Sequence, residues 1–186
     1  MRLTPSQYRT MPWKNGGGAT TELVIRPDGA SVSERFLFRV SIADVAASGP
    51  FSRFPGSDRH LVVIQGEGMT LHLGGARLPL EPFQPVFFSG DDAAEGQLTS
   101  GPVRDFNVIV DRARVTASLS VTRVATPLHL DCAPGATNVV HLLEGSLSDA
   151  QAGDTLVLDA PVDLHPGAAF SRMVLVQLHP RAVAAR

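Results

Sequence analysis

Residues 14–107 of the chain include polar and charged side chains whose types suit the binding of a small anion. The candidate ligand-binding residues are Lys14, Asn15, Arg39, Ser41, His60, Arg104, Asp105 and Asn107. The four basic members would together form a cationic pocket for a small carboxylate, because such groups donate charge-assisted hydrogen bonds to carboxylate oxygens. The amide, hydroxyl and acidic members would orient the ligand or the cations.

Residues 11–23 contain the first two candidates together with the only Trp and the only Lys of the chain. They also contain three consecutive glycines, Gly16 to Gly18, which admit two interpretations. The glycines form a tight structural turn, or they let the backbone run close to a ligand at the lip of a pocket. We favour the lip, with Lys14 and Asn15 pointing inward, because the polar strand residues are concentrated in the part of the chain that directly follows this segment.

Two strand residues leave alternatives open. Arg39 lies in mid-strand between large apolar residues, and burying an unpaired guanidinium costs several kcal/mol. Arg39 therefore faces solvent, has a partner, or lines a cavity. His60 begins an apolar strand, where it is either a hydrogen-bonded structural residue or a ligand-binding one.

Other kinds of site find less support in the sequence. The six histidines form no His-x-His pair, so we expect no metal and no other cofactor. The chain has no Gly-x-Ser-x-Gly elbow, and Gly16 to Gly18 lack the Gly-Lys-Ser/Thr ending of a phosphate loop. The neighbours Asp131 and Pro134 offer nothing that would activate Cys132 as a nucleophile, and we interpret it as an inert thiol.

Composition bounds the class of protein. The chain has 186 residues, a net charge of −2 and a single cysteine. Such a weak charge gives no reason to expect nucleic acid or a membrane surface as a partner. One cysteine excludes an internal disulfide, and residues 1–13 lack the apolar core of a signal peptide. We therefore expect a cytoplasmic protein.

Hydrophobic alternation with a period of two predicts many short strands. The predicted strands cover residues 36–42, 60–65, 69–73, 86–89, 105–110, 115–122, 139–143, 155–158 and 173–178. The second and third are expected to pair as a hairpin across residues 66–68, and residues 43–47 are compatible with one short turn of helix. Gly and Pro fall mainly between the strands, so the fold class is an all-β sandwich or barrel.

An internal repeat is visible when the two halves of the chain are aligned. Residues 60–66 resemble 139–145, residues 86–91 resemble 155–159, and residues 105–110 resemble 172–177. The order is preserved, which favours two copies of one β unit. We predict a single domain, 1–186, with a first barrel at 1–112 that holds a polar pocket. The second barrel, 113–186, has mostly aliphatic equivalents and is predicted to be a filled, degenerate copy.

Several blocks of the sequence resemble the HutD/Ves family. They are Met-Pro-Trp-Lys-Asn-Gly-Gly-Gly at 11–18, Phe-Arg-Val-Ser-Ile-Ala at 38–43, Gly-Pro-Phe-Ser at 49–52, Asp-Arg-His at 58–60 and Arg-Asp-Phe-Asn-Val at 104–108. The resemblance implies a bicupin, in which two cupin-like (RmlC-like jelly-roll) barrels are stacked. Metal-binding cupins carry a Gly-x5-His-x-His-x3,4-Glu motif, and this chain lacks the second His and the Glu around His60.

The resemblance also implies a function. HutD proteins are linked to histidine utilisation (histidine catabolism) as modulators of its expression, and are thought to bind the pathway intermediate N-formylglutamate. We therefore expect a non-metal protein that senses or buffers a small carboxylate metabolite. One alternative is an isomerase or hydrolase with His60 as general base and Lys14 or Arg39 as electrostatic stabiliser. Others are a Ves-like stress-response protein of unassigned activity and an interaction module that forms a homodimer.

Overall fold

The computed structural model describes residues 1–32, 35–167 and 169–181. In chain order the strands are β1 (Arg2–Leu3), β2 (Arg9–Pro12), β3 (Gly18–Arg26), β4 (Phe38–Val45), β5 (Gly49–Pro50), β6 (Ser57–Gln65), β7 (Met69–Leu73), β8 (Ala76–Leu80), β9 (Val86–Ser89), β10 (Ala94–Leu98), β11 (Val103–Asp111), β12 (Val115–Val124), β13 (Leu128–Leu130), β14 (Thr137–Glu144), β15 (Ser146–Leu147), β16 (Ala150–Gln151), β17 (Thr155–Leu158), β18 (Val162–Leu164) and β19 (Ser171–Pro180). Within these residues the only helix is a 3-10 turn at Pro5–Gln7. The predicted all-β fold class is confirmed.

The expected helical turn at residues 43–47 does not form. Strand β4 instead continues to Val45, and the side chains of Ala43 and Val45 are buried in the apolar core. Because both residues lie on the inward face of the strand, extended backbone buries more apolar surface than a helical turn would.

No helix of the described residues is long and apolar enough to cross a membrane.

The chain divides into two compact units. The first unit is Arg9–Arg114, and the second consists of Met1–Tyr8 together with Val115–Arg186. The first eight residues join the second unit because β1 pairs with β17 and the Tyr8 hydroxyl donates to the Gly153 carbonyl oxygen at 2.7 Å.

The first unit contains two antiparallel sheets. One has the strand order β2-β3-β4-β11-β6-β9 and the other has the order β5-β10-β7-β8. Their apolar side chains form a core that includes Leu61, Val63, Met69, Leu71 and Phe88.

The predicted hairpin between residues 60–65 and 69–73 is wrong. Strand β6 pairs with β11 and β9 in the six-stranded sheet, whereas β7 pairs with β10 and β8 in the other. Gly66 and Gly68 both have positive φ, and a Cβ at either position would overlap a backbone carbonyl oxygen. These two glycines therefore carry the chain from one sheet to the other instead of closing a hairpin.

The second unit repeats part of this arrangement. Its main sheet has the order β1-β17-β14-β19-β12, and β13-β18 and β15-β16 form two small two-stranded sheets. Its interior is aliphatic, with Val140, Leu142, Leu147, Leu164 and Met173 fully or almost fully buried.

Strand order relates the two units. The series β4-β11-β6-β9 in the first unit corresponds to β12-β19-β14-β17 in the second. Asp105 pairs with Val63, and Met173 pairs with Leu142, beside a β-bulge in each case. The last block of the predicted repeat is thus displaced by one residue, since Asp105 corresponds to Met173 and not to Arg172. A one-residue shift matters because it exchanges the two faces of a strand.

Candidate functional site

A cavity of about 610 Å³ opens in the first unit. Its polar lining residues are Lys14, Asn15, Thr20, Arg39, Ser41, Ser48, Ser52, Arg59 and Asn107. Aromatic side chains of Trp13, Phe51 and Phe54 complete much of the wall. The volume and the mixture of aromatic surface with a few polar groups are typical of a site for a small molecule.

Strand alternation places the polar residues on one face of the six-stranded sheet. Asn107 on β11 lies opposite Ser41 on β4, and Ile109 lies opposite both Arg39 on β4 and Arg59 on β6. Because residues two apart along a strand share a face, all five side chains line the cavity. The sheet therefore brings together side chains from three strands that are far apart in sequence.

Arg59 is the buried cation of the site. Only 4% of this residue is exposed, and its guanidinium donates to the Ser52 carbonyl oxygen at 3.1 Å and to Asn107 Oδ1 at 2.8 Å. The guanidinium carbon also lies 5.0–5.6 Å from the ring centroids of Phe51, Phe54 and Phe88. Burial lowers the pKa of Arg59 to about 10, so the side chain remains charged at neutral pH.

Asp105 lies behind Asn107 and is completely buried. It accepts a hydrogen bond from Asn107 Nδ2, and its Oδ2 atom has no hydrogen-bond partner among the described residues. Burial raises the pKa of Asp105 to about 7, against the opposing influence of the nearby Arg59 charge. Asn107 thus connects the buried carboxyl group to the buried guanidinium, so Asp105 positions Asn107 without lining the cavity.

Arg39 has a carboxylate partner of its own. Its Nε atom lies 2.7 Å from Glu22 Oε2, and both side chains are largely buried. The alternative left open for Arg39 is thereby resolved, since it lines the cavity and is also paired. The pairing compensates the charge of Arg39. Of the three cations that line the cavity, Arg59 and Lys14 are therefore the two without a directly bonded carboxylate among the described residues.

Residues 13–18 form the connection between β2 and β3 and lie at the edge of the cavity. Trp13 N donates to the Gly18 carbonyl oxygen at 2.9 Å, and Gly16 N donates to the Trp13 carbonyl oxygen at 3.0 Å. Lys14 and Asn15 at its tip are exposed and contribute to the cavity lining. The segment is a tight turn that presents Lys14 and Asn15 at the cavity mouth, and their contact with a ligand stays a prediction.

Gly18 is required by close packing, which leads to a prediction. A Cβ at this position would overlap the Asp44 carbonyl oxygen and lie 2.9 Å from the Trp13 ring. We expect Gly18→Ala to lower the free energy of unfolding by about 2–4 kcal/mol, measured by chemical denaturation. Gly17→Ala is the matched control, because its Cβ would make only an ordinary contact with the Asn15 side chain. Equal stability of the two variants would contradict this role for Gly18.

The structure does not bring His60 or Arg104 to the cavity. His60 pairs with Val108, one residue out of phase with Asn107, and its ring lies 5.0 Å from the ring of Phe87. Arg104 forms a half-exposed ion pair with Asp44 at 2.8 Å. Both placements follow from alternation, because neighbouring residues of a strand point to opposite faces. His60 is adjacent to Arg59, and Arg104 is adjacent to Asp105, which lies on the same face as Asn107. The expected four-member cationic pocket is therefore corrected, and His60 is not placed to act as a base on a ligand in the cavity.

Sequence reasoning missed Arg59 and Glu22. A signal for Arg59 was present, because it lies two residues before Leu61 and four before Val63 on the same buried face. The prediction named the adjacent His60 as the ligand-binding residue of this strand instead. For Glu22 no signal was available, since only the strand register shows that its carboxylate reaches Arg39.

Cupin folds often hold a metal ion, and the donor set that lines this cavity does not fit one. The described residues contain no group of three or more His, Cys, Asp or Glu side chains placed to hold a metal ion. The cavity instead presents guanidinium, ammonium, amide and hydroxyl groups. Such donors bind anions.

The fold and this cavity define a cupin-like protein. A cupin 2 conserved barrel domain protein from Leptotrichia buccalis shares the fold, with a TM-score of 0.60 and 10% identity over 95% of this chain and 98% of that one. The chain belongs to the HutD family, whose sequence model matches residues 5–171. HutD from Pseudomonas fluorescens SBW25, solved in a formate condition, has a TM-score of 0.82 and 33% identity, covering 98% of this chain and 99% of that one.

Two curated relatives match over a shorter span. An uncharacterised 21.2 kDa protein in the hutC 3′ region of Pseudomonas putida is 43% identical over 118 residues, which is 63% of this chain and 61% of the relative. Protein Ves of Cronobacter sakazakii is 37% identical over 111 residues, 59% of each. The matched segments thus span about three fifths of these relatives.

Proposed function

We propose that the first unit binds a small carboxylate metabolite, N-formylglutamate or a close relative of it, and thereby modulates histidine utilisation as a sensor or buffer. The observation that carries this proposal is the charged, buried Arg59 guanidinium on the cavity wall, held by Asn107 instead of by a carboxylate. A buried cation without a directly bonded anion has a strong electrostatic preference for an anionic ligand.

The spread of positive charge suits a ligand with two carboxylates. One carboxylate would meet Arg59 and Arg39, which are both buried. The other would meet Lys14, which is exposed at the mouth of the same cavity. The Asn15 amide and the Ser41 hydroxyl would bond the formamido group on the α-carbon of the ligand.

The proposed role in histidine utilisation rests on membership of the HutD family and on the hutC-region relative. In this proposal the protein acts in the cytoplasm, the compartment that its single cysteine favours. The described residues contain no α-helix that would enter a DNA groove. Any effect on transcription would therefore be indirect, through the level of the metabolite or through a partner.

Calorimetry with N-formylglutamate and urocanate tests the proposal. We expect heat of binding for the dicarboxylate and a weaker response for urocanate, which has one carboxylate. Lys14→Ala should weaken binding of the dicarboxylate by roughly three- to tenfold, the loss expected for one exposed charge pair of about 1 kcal/mol. Its thermal unfolding should be unchanged, because Lys14 makes no ion pair among the described residues.

Arg104→Ala is the matched control for this experiment. Arg104 also carries a positive charge in the first unit, yet it lies away from the cavity and pairs with Asp44. The control should bind the dicarboxylate as wild type does. Absence of heat at millimolar N-formylglutamate would reject that ligand, and an equal loss in both variants would reject the assignment of the cavity.

A further inference from the structure

Strand β12 is an edge strand that lacks the usual protection against pairing with another chain. It ends the five-stranded sheet and pairs with β19 over ten residues without a bulge. Residues 115–122 contain no charged residue and no proline. Exposed edges of this length normally carry a Lys, a Pro or a bulge, because their free N–H and C=O groups accept a foreign strand.

The other edge strands of the main sheets show that protection. β1 and β5 have only two residues each, and β9 has four. β2 ends in Pro12, and β8 contains Pro79. Among the described strands, β12 is therefore the long and unbroken edge, and its first eight residues, 115–122, carry no charge.

The internal repeat shows that a strand fits at this edge. β4, the counterpart of β12, has β11 on one side and β3 on the other. β12 has β19 on one side, and no strand of the described residues is hydrogen-bonded to its other side. The position that β3 fills in the first unit is therefore free in the sheet of the second unit.

Residues 116–122 of β12 are nearly palindromic around Leu119, with Ser118 and Ser120 identical and Thr116 and Thr122 identical. With Leu119 on a two-fold axis, an antiparallel second copy places Ser118 opposite Ser120, Ala117 opposite Val121 and Thr116 opposite Thr122. Hydroxyl residues thus lie opposite hydroxyl residues, and aliphatic residues lie opposite aliphatic ones. Cross-strand pairs of these kinds stabilise a sheet. Arg123 lies opposite Val115 in this register, so the two arginines of the pair are far apart.

We propose that two copies of this chain associate through antiparallel pairing of their β12 strands, with Leu119 on the two-fold axis. The pairing joins two five-stranded sheets into one continuous sheet and satisfies the free backbone groups of both edges. A two-fold axis makes the same surface meet itself, as in the commonest class of homodimer.

Sedimentation equilibrium tests the proposal with charge patterns at two exposed positions. Wild type should sediment as a dimer, with twice the 19.7 kDa mass of the chain. The double variant Ser118→Lys/Ser120→Lys places four lysines around the axis and should sediment as a monomer. The double variant Ser118→Lys/Ser120→Glu should dimerise again, because each introduced lysine then faces an introduced glutamate.

The outcomes separate this register from other arrangements. Circular dichroism should show the same fold in all three proteins, since both serines are exposed in the single chain. A wild-type monomer at about 100 µM, where weak dimers still form by mass action, would overturn the proposal. A dimer that survives the double lysine variant would place the interface elsewhere. A lysine–glutamate variant that stays monomeric would overturn the Leu119 axis.

Discussion

Replacing Arg59 with methionine is expected to weaken carboxylate binding strongly and to lower the free energy of unfolding by about 2–4 kcal/mol near pH 8. The substitution keeps most of the side-chain volume among Phe51, Phe54 and Phe88. It removes the donors to the Ser52 carbonyl oxygen and to Asn107 Oδ1, and it leaves buried Asp105 without a nearby positive charge. Calorimetry should show dicarboxylate affinity reduced by roughly thirtyfold or more, equivalent to about 2 kcal/mol.

A second substitution separates the two effects of the Arg59 change. Arg59→Met/Asp105→Asn removes both buried charges and should recover most of the lost stability, because no uncompensated charge remains in the interior. It should not recover binding. If it restores binding, Arg59 acts only by balancing Asp105, and the cavity does not use the guanidinium for the ligand. Arg104→Ala again controls for the loss of one arginine outside the cavity.

Asp105→Asn is expected to gain stability relative to wild type by about 4 kcal/mol as the pH rises from about 4 to about 8. The folded-state pKa of Asp105 is raised from 3.8 to about 7 because burial opposes the charged form. The folded protein therefore holds a proton that the unfolded chain has lost over this interval. The free energy of unfolding of the wild type therefore falls between pH 3.8 and about 7. Above pH 7 the titration of Asp105 no longer changes it. The asparagine variant lacks this loss.

Urea denaturation of both proteins across the pH range measures the difference directly, since contributions of the other titrating groups cancel. Asp92→Asn alters an exposed carboxylate and controls for the substitution itself. A difference between wild type and Asp105→Asn that is constant with pH would show that Asp105 is ionised throughout. The Asp105–Asn107–Arg59 connection would then be an ordinary charged network.

Alternation explains why part of the site was predictable. The pattern of β4 placed Arg39 and Ser41 on one face, and the pattern of β11 placed Asp105 and Asn107 on one face, as the structure has them. Alternation within a strand does not reveal which face lines a cavity. His60 was assigned to the cavity for its chemistry, although its neighbour Arg59 occupies the inward face.

The strands themselves were visible because apolar alternation is a local property. β7, β9 and β17 have the predicted bounds, and β4, β6, β11, β12, β14 and β19 overlap the predicted strands. β3 was not predicted because its first four residues, Gly-Ala-Thr-Thr, have little apolar surface and show no apolar alternation. Its role is decided by pairing with β2 and β4, which is not a local property.

By itself, the sequence determined the all-β class, the repeated unit and the concentration of polar strand residues in one copy. These are consequences of residue type and of a period of two, which need no long-range contact. Only the tertiary structure decided that Arg59 is the buried cation, that Glu22 pairs with Arg39, and that Asn107 joins Arg59 to Asp105. Those relations depend on register between strands distant in sequence, and one residue of register exchanges the side chains that line the cavity for those on the other face.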